Sequence, residues 1–154
     1  MKTKRIRVGL CVLWLLAACQ ASPNSSSPTT AALRSEFTLA PDQSAAVTGT
    51  DLTLTFHSVL SDERCPSEVE CAVSGPVTLS LSVQQGNDPP TDFTLQTFTD
   101  QTGRSPDVQF EGVTNRAEVG GYVIQITSVT PYPKKISATL EPSEYRVGLL
   151  VSNQ

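Results

Sequence analysis

The chain has 154 residues, with 11 Lys and Arg against 15 Asp and Glu and a formal net charge of −4. Proteins that bind nucleic acids neutralise phosphates with clustered basic side chains, so this acidic composition predicts no nucleic-acid partner. The length suits a single domain preceded by a targeting segment, and the sequence contains no internal repeat.

The first 18 residues have the pattern of an export signal. Four basic side chains and no acidic one stand in the first seven residues, and an apolar run of 11 residues from Val8 to Ala18 follows. A helix that spans a membrane needs about 20 apolar residues, so this run is too short to remain as an anchor. We therefore predict a cleaved signal peptide over residues 1–18.

The stretch Leu16-Ala17-Ala18-Cys19 resembles the lipobox of bacterial lipoproteins. The resemblance implies that the Cys19 thiol receives a diacylglycerol, that the bond before it is cut and that the new amino terminus is acylated. Each buried CH₂ contributes about 0.8 kcal/mol, so two or three acyl chains hold a protein stably on a membrane. Ordinary signal-peptidase cleavage is the alternative. An aspartate after the lipidated cysteine would signal retention at the inner membrane, but this chain has Gln20. We therefore predict a location in the bacterial cell envelope, at the outer membrane if the organism has two membranes.

Maturation at Cys19 changes both the charge and the number of cysteines. Four of the 11 basic residues leave with the signal while all 15 acidic residues stay, so seven basic residues remain and the net charge becomes −8. We therefore expect the lipid alone to attach the protein to the membrane, without electrostatic attraction to anionic lipids. Cys11 is removed and Cys19 is acylated, which leaves Cys65 and Cys71 to form one disulfide bond in an oxidising compartment.

Residues 19–33 are predicted to be a lipidated cysteine followed by a flexible tether, because Ser, Thr, Pro and Asn dominate and few apolar side chains are present. Residues 34–154 are predicted to form the folded domain. Apolar residues alternate with Ser and Thr there, most regularly over 77–83, and helical periodicity is lacking. The predicted strands are 37–39 with 45–47 as a continuation, 52–60, 69–73, 77–83, 93–98, 108–113, 122–129 and 145–151.

Seven or eight strands joined by short segments rich in turn residues indicate the fold class. The connections at 85–90 and 100–106 contain Gly, Pro, Asn and Asp, which favour chain reversal. This spacing is typical of a single immunoglobulin-like antiparallel β-sandwich. A small antiparallel β-barrel is the alternative.

The segment from Asp62 to Cys71 is the densest cluster of unusual residues in the mature chain. A bond between Cys65 and Cys71 would stabilise the fold by about 2 kcal/mol on the chain-entropy model and pin the connection between two strands. A redox role is disfavoured, because five residues separate the cysteines, unlike Cys-x-x-Cys, and no Lys or His within the loop activates a thiolate.

This segment also carries a family resemblance. The pattern Arg-Cys-Pro-x-x-Val-x-Cys runs from Arg64 to Cys71, and further matching positions are Phe56 to Val59, Asp62, Gly75, Tyr122 to Ile124, Val129 to Pro133 and Tyr145 to Val147. Together they resemble a family of bacterial secreted proteins and lipoproteins without an assigned activity. Members often have a tryptophan two residues after the second cysteine, where this chain has Val73. The resemblance implies a β-sandwich in the cell envelope.

The remaining chemistry is sparse. His57 is the only histidine, and its parity within the predicted strand places it on the face opposite Leu52, Leu54 and Phe56, where solvent would surround it. The chain has no Gly-x-Ser-x-Gly or His-Glu-x-x-His pattern. We therefore predict no enzymatic activity, no catalytic residue, no cofactor and no metal centre of the zinc type.

Two segments are candidates for contact with a ligand or partner. Four acidic residues between positions 62 and 70 could form a solvated loop or, as the alternative, hold calcium, although Arg64 partly neutralises them. The stretch Pro131 to Lys135 is extended and offers an aromatic ring beside two lysines. The candidate loop residues are Asp62, Glu63, Arg64, Glu68, Glu70 and Tyr132.

These observations predict a lipid-anchored cell-envelope protein whose β-sandwich is a binding or structural module for another envelope component. Two alternatives remain open at this point. One is a lipoprotein that binds a small ligand or calcium through the acidic loop. The other is an immunoglobulin-like protease inhibitor that presents loops from the sandwich.

Overall fold

A computed structural model describes residues 28–135 and 140–154. The predicted signal peptide, Cys19 and the first part of the predicted tether lie outside the described residues. A short 3₁₀ helix covers Pro142–Glu144, and no helix in the described ranges has the length and hydrophobicity to cross a membrane. The strands are β1 Thr29–Ala32, β2 Phe37–Leu39, β3 Gln43–Thr48, β4 Leu52–Asp62, β5 Val77–Gln85, β6 Thr91–Thr97, β7 Arg116–Val119, β8 Tyr122–Thr130 and β9 Arg146–Asn153.

These strands form two separate sheets. One has the order β1-β3-β4-β5-β6 and the other β2-β9-β8-β7. Neighbouring strands are antiparallel except β1, which pairs with β3 in parallel. The sheets pack on one shared core and neither closes on itself. The predicted β-sandwich is therefore confirmed, and the alternative of a small barrel is wrong.

Alternation along the strands produces this core. In β5, Val77, Leu79, Leu81 and Val83 are buried while Thr78 and Ser80 are only partly covered, as the sequence pattern predicts, although Ser82 on the same outer face is also buried. The other strands contribute in the same way. The largest fully buried side chains include Phe56, Leu39, Leu52, Leu54, Leu95, Ile124, Ile126 and Leu149.

Two irregularities change the pattern of β4. The register with β5 shifts between Phe56 and Ser58 and again between Val59 and Ser61, so His57 and Leu60 are the extra residues. A bulge of this kind re-aims the side chains that follow it. Simple alternation from Phe56 would bury Leu60, whereas Leu60 is 57% exposed and Val59 packs against the core.

The folded domain begins earlier than the predicted boundary at residue 34. β1 lies within the predicted tether, where its residues Thr29 to Ala32 pair with Ala45 to Thr48 of β3. Ala31 is 4% exposed. Backbone pairing with an open strand edge, together with one small buried side chain, orders a segment whose composition alone predicts disorder.

Three of the strand predictions need correction. Residues 45–47 belong to β3, which lies in the five-stranded sheet. β2 lies in the four-stranded sheet, so β3 does not continue it. The predicted strand 69–73 is wrong, because the disulfide closes this segment into a loop and Val73 is 81% exposed. The predicted strand 108–113 is also wrong. A turn links the Val113 amide to the Phe110 carbonyl, and the strand lies further along at Arg116–Val119.

Candidate functional site

Two long connections, one from each sheet, meet at the same end of the sandwich. Residues 63–76 join β4 to β5 and are called the cysteine loop, and residues 131–145 join β8 to β9 and are called the β8–β9 connection. The structure describes the latter at 131–135 and 140–145. The amides of Ser67 and Glu68 donate to the carbonyls of Pro133 and Lys134, each at 3.0 Å. The connections are therefore bound to each other through their backbones.

The base of the cysteine loop continues the pairing of β4 with β5. The Glu63 amide donates to the Pro76 carbonyl at 3.1 Å, and the Gly75 amide donates to the Glu63 carbonyl at 2.8 Å. A Cβ at position 75 would lie 2.5 Å from the Cβ of Glu63. Only glycine permits this close approach of the two chains.

The predicted disulfide bond joins Cys65 and Cys71, with Cα atoms 5.9 Å apart. Both cysteines lie within the same connection, so the bond closes the outer part of the loop on itself. It does not tie the loop to the second sheet. That attachment comes from the neighbouring residue, Arg64.

Arg64 holds the cysteine loop against the end of β8. Its side chain has no exposed surface, and all five of its N–H donors have acceptors. Nε donates to Oδ1 of Asp62 at 2.8 Å, while Nη2 donates to Asp62 Oδ2 at 2.6 Å and to the Pro131 carbonyl at 3.0 Å. Nη1 donates to the Val129 carbonyl at 2.8 Å and, at 3.5 Å, to Thr99 Oγ1. A buried charge needs such complete pairing.

Two tyrosines complete the network around Arg64. The Tyr145 hydroxyl donates to Asp62 Oδ2 at 3.0 Å. Burial, and then the negative charge of Asp62, raise the pKa of Tyr145 to about 12. The ring of Tyr132 lies with its centroid 4.9 Å from Arg64 Cζ, and its hydroxyl donates to the Cys65 carbonyl at 2.8 Å. Arg64 and Tyr132, both among the candidate loop residues, thus fix the loop in place.

A cleft of about 490 Å³ opens between the cysteine loop, the end of β4 and the β8–β9 connection. This volume lies in the range of small-molecule and peptide sites. Asp62, Arg64 and Tyr145 line it together with Ser61 and Lys135. The rest of the lining is apolar and consists of Val59, Leu60, Pro66, Pro133, Leu140 and Pro142.

The structure does not bring the predicted acidic residues to a common point. Asp62 is paired with Arg64, Glu63 accepts a hydrogen bond from Ser61 Oγ at 3.2 Å, and Glu68 lies 3.7 Å from Lys135 Nζ. Glu70 is exposed. Over residues 28–135 and 140–154, no group of three His, Cys, Asp or Glu side chains has the arrangement of metal ligands.

His57 lies at the first bulge of β4, half-buried, with Nε2 2.9 Å from Ser82 Oγ. The predicted fully solvated position is therefore only partly correct, since Ser82 itself is buried. His57 is not among the residues that line the cleft.

Much of the cleft is not visible in the sequence. The exposure of Leu60 depends on the bulges, and the place of Leu140, Pro142 and Tyr145 in the lining depends on the contact between the two connections. The sequence does single out Asp62, Arg64 and the stretch Pro131 to Lys135, which contribute to the lining. Comparisons with protein families, curated proteins and solved structures give no match for this chain.

Proposed function

We propose that this chain is a lipid-anchored cell-envelope protein whose β-sandwich is a binding module, presenting the end with the cysteine loop to another envelope component. The observation that carries the proposal is the cleft between two connections that Arg64 and backbone hydrogen bonds hold together. The anchor rests on the lipobox pattern that ends at Cys19.

The way in which the cysteine loop is held in place supports a binding role. Loops that are ordered before association lose less conformational entropy when a partner binds, which improves affinity. Here the cysteine loop is closed by its disulfide, held at its base by Gly75 and attached at its side through Arg64. These contacts keep the wall that the cysteine loop contributes to the cleft in place.

The chemistry of the cleft also favours binding over catalysis. Both carboxylate oxygens of Asp62 accept hydrogen bonds, and the donors of Arg64 are all used within the protein. The polar groups at its floor therefore stabilise the site itself. Apolar side chains provide most of the remaining contact surface.

Affinity isolation from gently solubilised membranes tests the proposal. Full-length protein should retain an envelope component that mass spectrometry identifies, and Leu60→Asp should lose it. Val108→Asp is the matched control, because Val108 is 54% exposed on another loop while Leu60 is 57% exposed in the cleft. A partner that Leu60→Asp retains, or no specific partner, would contradict the binding role.

The anchor has its own test. Mass spectrometry of the amino-terminal peptide should find a diacylglyceryl group on Cys19, and a Cys19→Ala form should leave the membrane fraction. An unmodified Cys19 thiol in the mature protein would contradict the anchoring.

A further inference from the structure

We infer that the cleft receives an extended segment of a partner protein in which one or two apolar side chains are flanked by Lys or Arg. This inference rests on the proposed binding function and adds the chemistry of the partner. Three features of the site carry it: an apolar lining, saturated polar groups at the floor and an excess of negative charge at the rim.

The interior of the cleft selects apolar groups. Asp62 Oδ1 accepts from the backbone amide and Nε of Arg64, and Oδ2 accepts from Arg64 Nη2 and the Tyr145 hydroxyl. A ligand group that competed for these atoms would leave a buried charge without its partner, which is costly. A side chain that enters the cleft therefore gains most from Leu60, Leu140 and the prolines around them.

Four exposed acidic residues adjoin residues that line the cleft, and they are called the rim. Glu63 stands between the lining residues Asp62 and Arg64, Glu141 between Leu140 and Pro142, and Glu144 immediately before Tyr145. Glu68 lies 3.7 Å from the lining residue Lys135. Acidic residues thus flank the lining residues on both the cysteine loop and the β8–β9 connection.

The four acidic residues outnumber the basic ones near the rim, which are Lys134, Lys135 and Arg146. The pairing of Lys135 with Glu68 leaves three carboxylates against Lys134 and Arg146. Arg146 Nη1 donates to the carbonyls of Ser143 and Tyr145, at 2.8 and 2.6 Å. The net charge of −8 that follows removal of the signal peptide has the same sign. Complementary potentials steer and select partners, so a basic segment is the favoured occupant.

A peptide segment fits this arrangement better than a small cation. The carboxylates lie on two connections that bound an apolar opening, so a ligand must place positive charges on both sides of an apolar group to use them together. An extended chain with flanking Lys or Arg does so, and its apolar side chain enters the cleft.

Three synthetic peptide pools test the inference. Each has two central positions drawn from Leu, Val and Phe, flanked by Lys and Arg in the first, Gln and Ser in the second, and Glu and Asp in the third. The full-length protein in mild detergent should retain the basic pool preferentially. The preference should weaken between about 50 mM and about 500 mM salt, because rim charges are screened.

Variants connect the preference to the cleft. Glu68→Lys should reduce retention of the basic pool by about fivefold, because it reverses a rim charge while the backbone bond from position 68 to Lys134 is kept. Asp88→Lys makes the same charge change in the turn after β5, at the opposite end of the sandwich, and should change retention by less than about twofold. Leu60→Ser should lower retention of all the pools.

Equal retention of the three pools, or equal effects of Glu68→Lys and Asp88→Lys, would overturn the inference. If the membrane isolation identifies a partner that depends on Leu60 while the pools show no preference for basic flanks, the binding function stands and only the partner chemistry is wrong. If neither experiment shows binding at the cleft, both proposals fail.

Discussion

The guanidinium of Arg64 donates a 2.8 Å hydrogen bond to the carbonyl of Val129, a residue in the opposite sheet and 65 positions along the chain. This contact joins the connection that leaves β4 to the end of β8. Because Arg64 also pairs with Asp62, a single side chain links the end of β4 to the end of β8 at the cleft.

Arg64→Ala should therefore destabilise the protein by about 3–5 kcal/mol, since it removes the charge that pairs with the Asp62 carboxylate and the donor of two backbone carbonyls. Urea unfolding followed by circular dichroism measures the change. Arg104→Ala is the control, because its ion pair with Glu36 is exposed and should contribute less than about 1 kcal/mol. Equal losses for both variants would show that burial of Arg64 is unimportant.

Replacing both cysteines by serine should lower the free energy of unfolding by about 2 kcal/mol and leave the sandwich folded. Hydrogen exchange should quicken at the amides of Ser67 and Glu68, whose bonds to the β8–β9 connection depend on the shape of the loop. Faster exchange throughout the core of the sandwich would contradict a local role for the disulfide.

The raised pKa of Tyr145 predicts an alkaline dependence of stability. Folding favours the protonated hydroxyl, whose pKa rises from 10.0 to about 12, so the unfolded chain loses this proton first as the pH increases. The contribution of Tyr145 is complete below about pH 10 and is lost as the pH approaches about 12. Urea unfolding over this range should show a steeper decline for the natural protein than for Tyr145→Phe. Parallel declines would contradict the assignment.

Gly75→Ala should destabilise the base of the cysteine loop by about 1–3 kcal/mol, because the new methyl group would collide with the Cβ and carbonyl of Glu63. Thermal unfolding measures the loss. Adding Glu63→Gly removes one of the colliding atoms and should recover part of the stability. A Gly75→Ala protein as stable as the natural one would show that the two chains can move apart freely.

Local pattern predicted the strands whose side chains alternate without interruption, as in β5 and most of β8, since periodic burial is encoded residue by residue. It also predicted the disulfide, because only Cys65 and Cys71 lie beyond the predicted signal peptide and lipidated cysteine. The bulges at His57 and Leu60 depend on pairing with β5, and β1 depends on an open edge of β3. Neither feature is visible in the segment that adopts it.

The cleft is less predictable from the sequence than the strands are. Its walls come from segments about 70 residues apart in sequence, and the polar residues that suggested a ligand site are engaged with one another. Arg64 shows why the residues of the cleft are hard to interpret from the sequence. A charged side chain in a solvated loop indicates contact with a ligand, whereas the buried side chain of Arg64 has a structural role.

The direction of β1 has a consequence for access to the cleft. β1 runs parallel to β3 and so from Thr29 toward the end of the sandwich where β4 begins, which is opposite to the cleft. Its amino-terminal side therefore points toward the cleft end. Thr29 pairs with Ala45, and Ala45 pairs with Leu54 near the start of β4, so β1 covers the part of the sheet edge that is remote from the cleft. This edge strand therefore contributes no residue to the lining of the cleft and does not obstruct its opening.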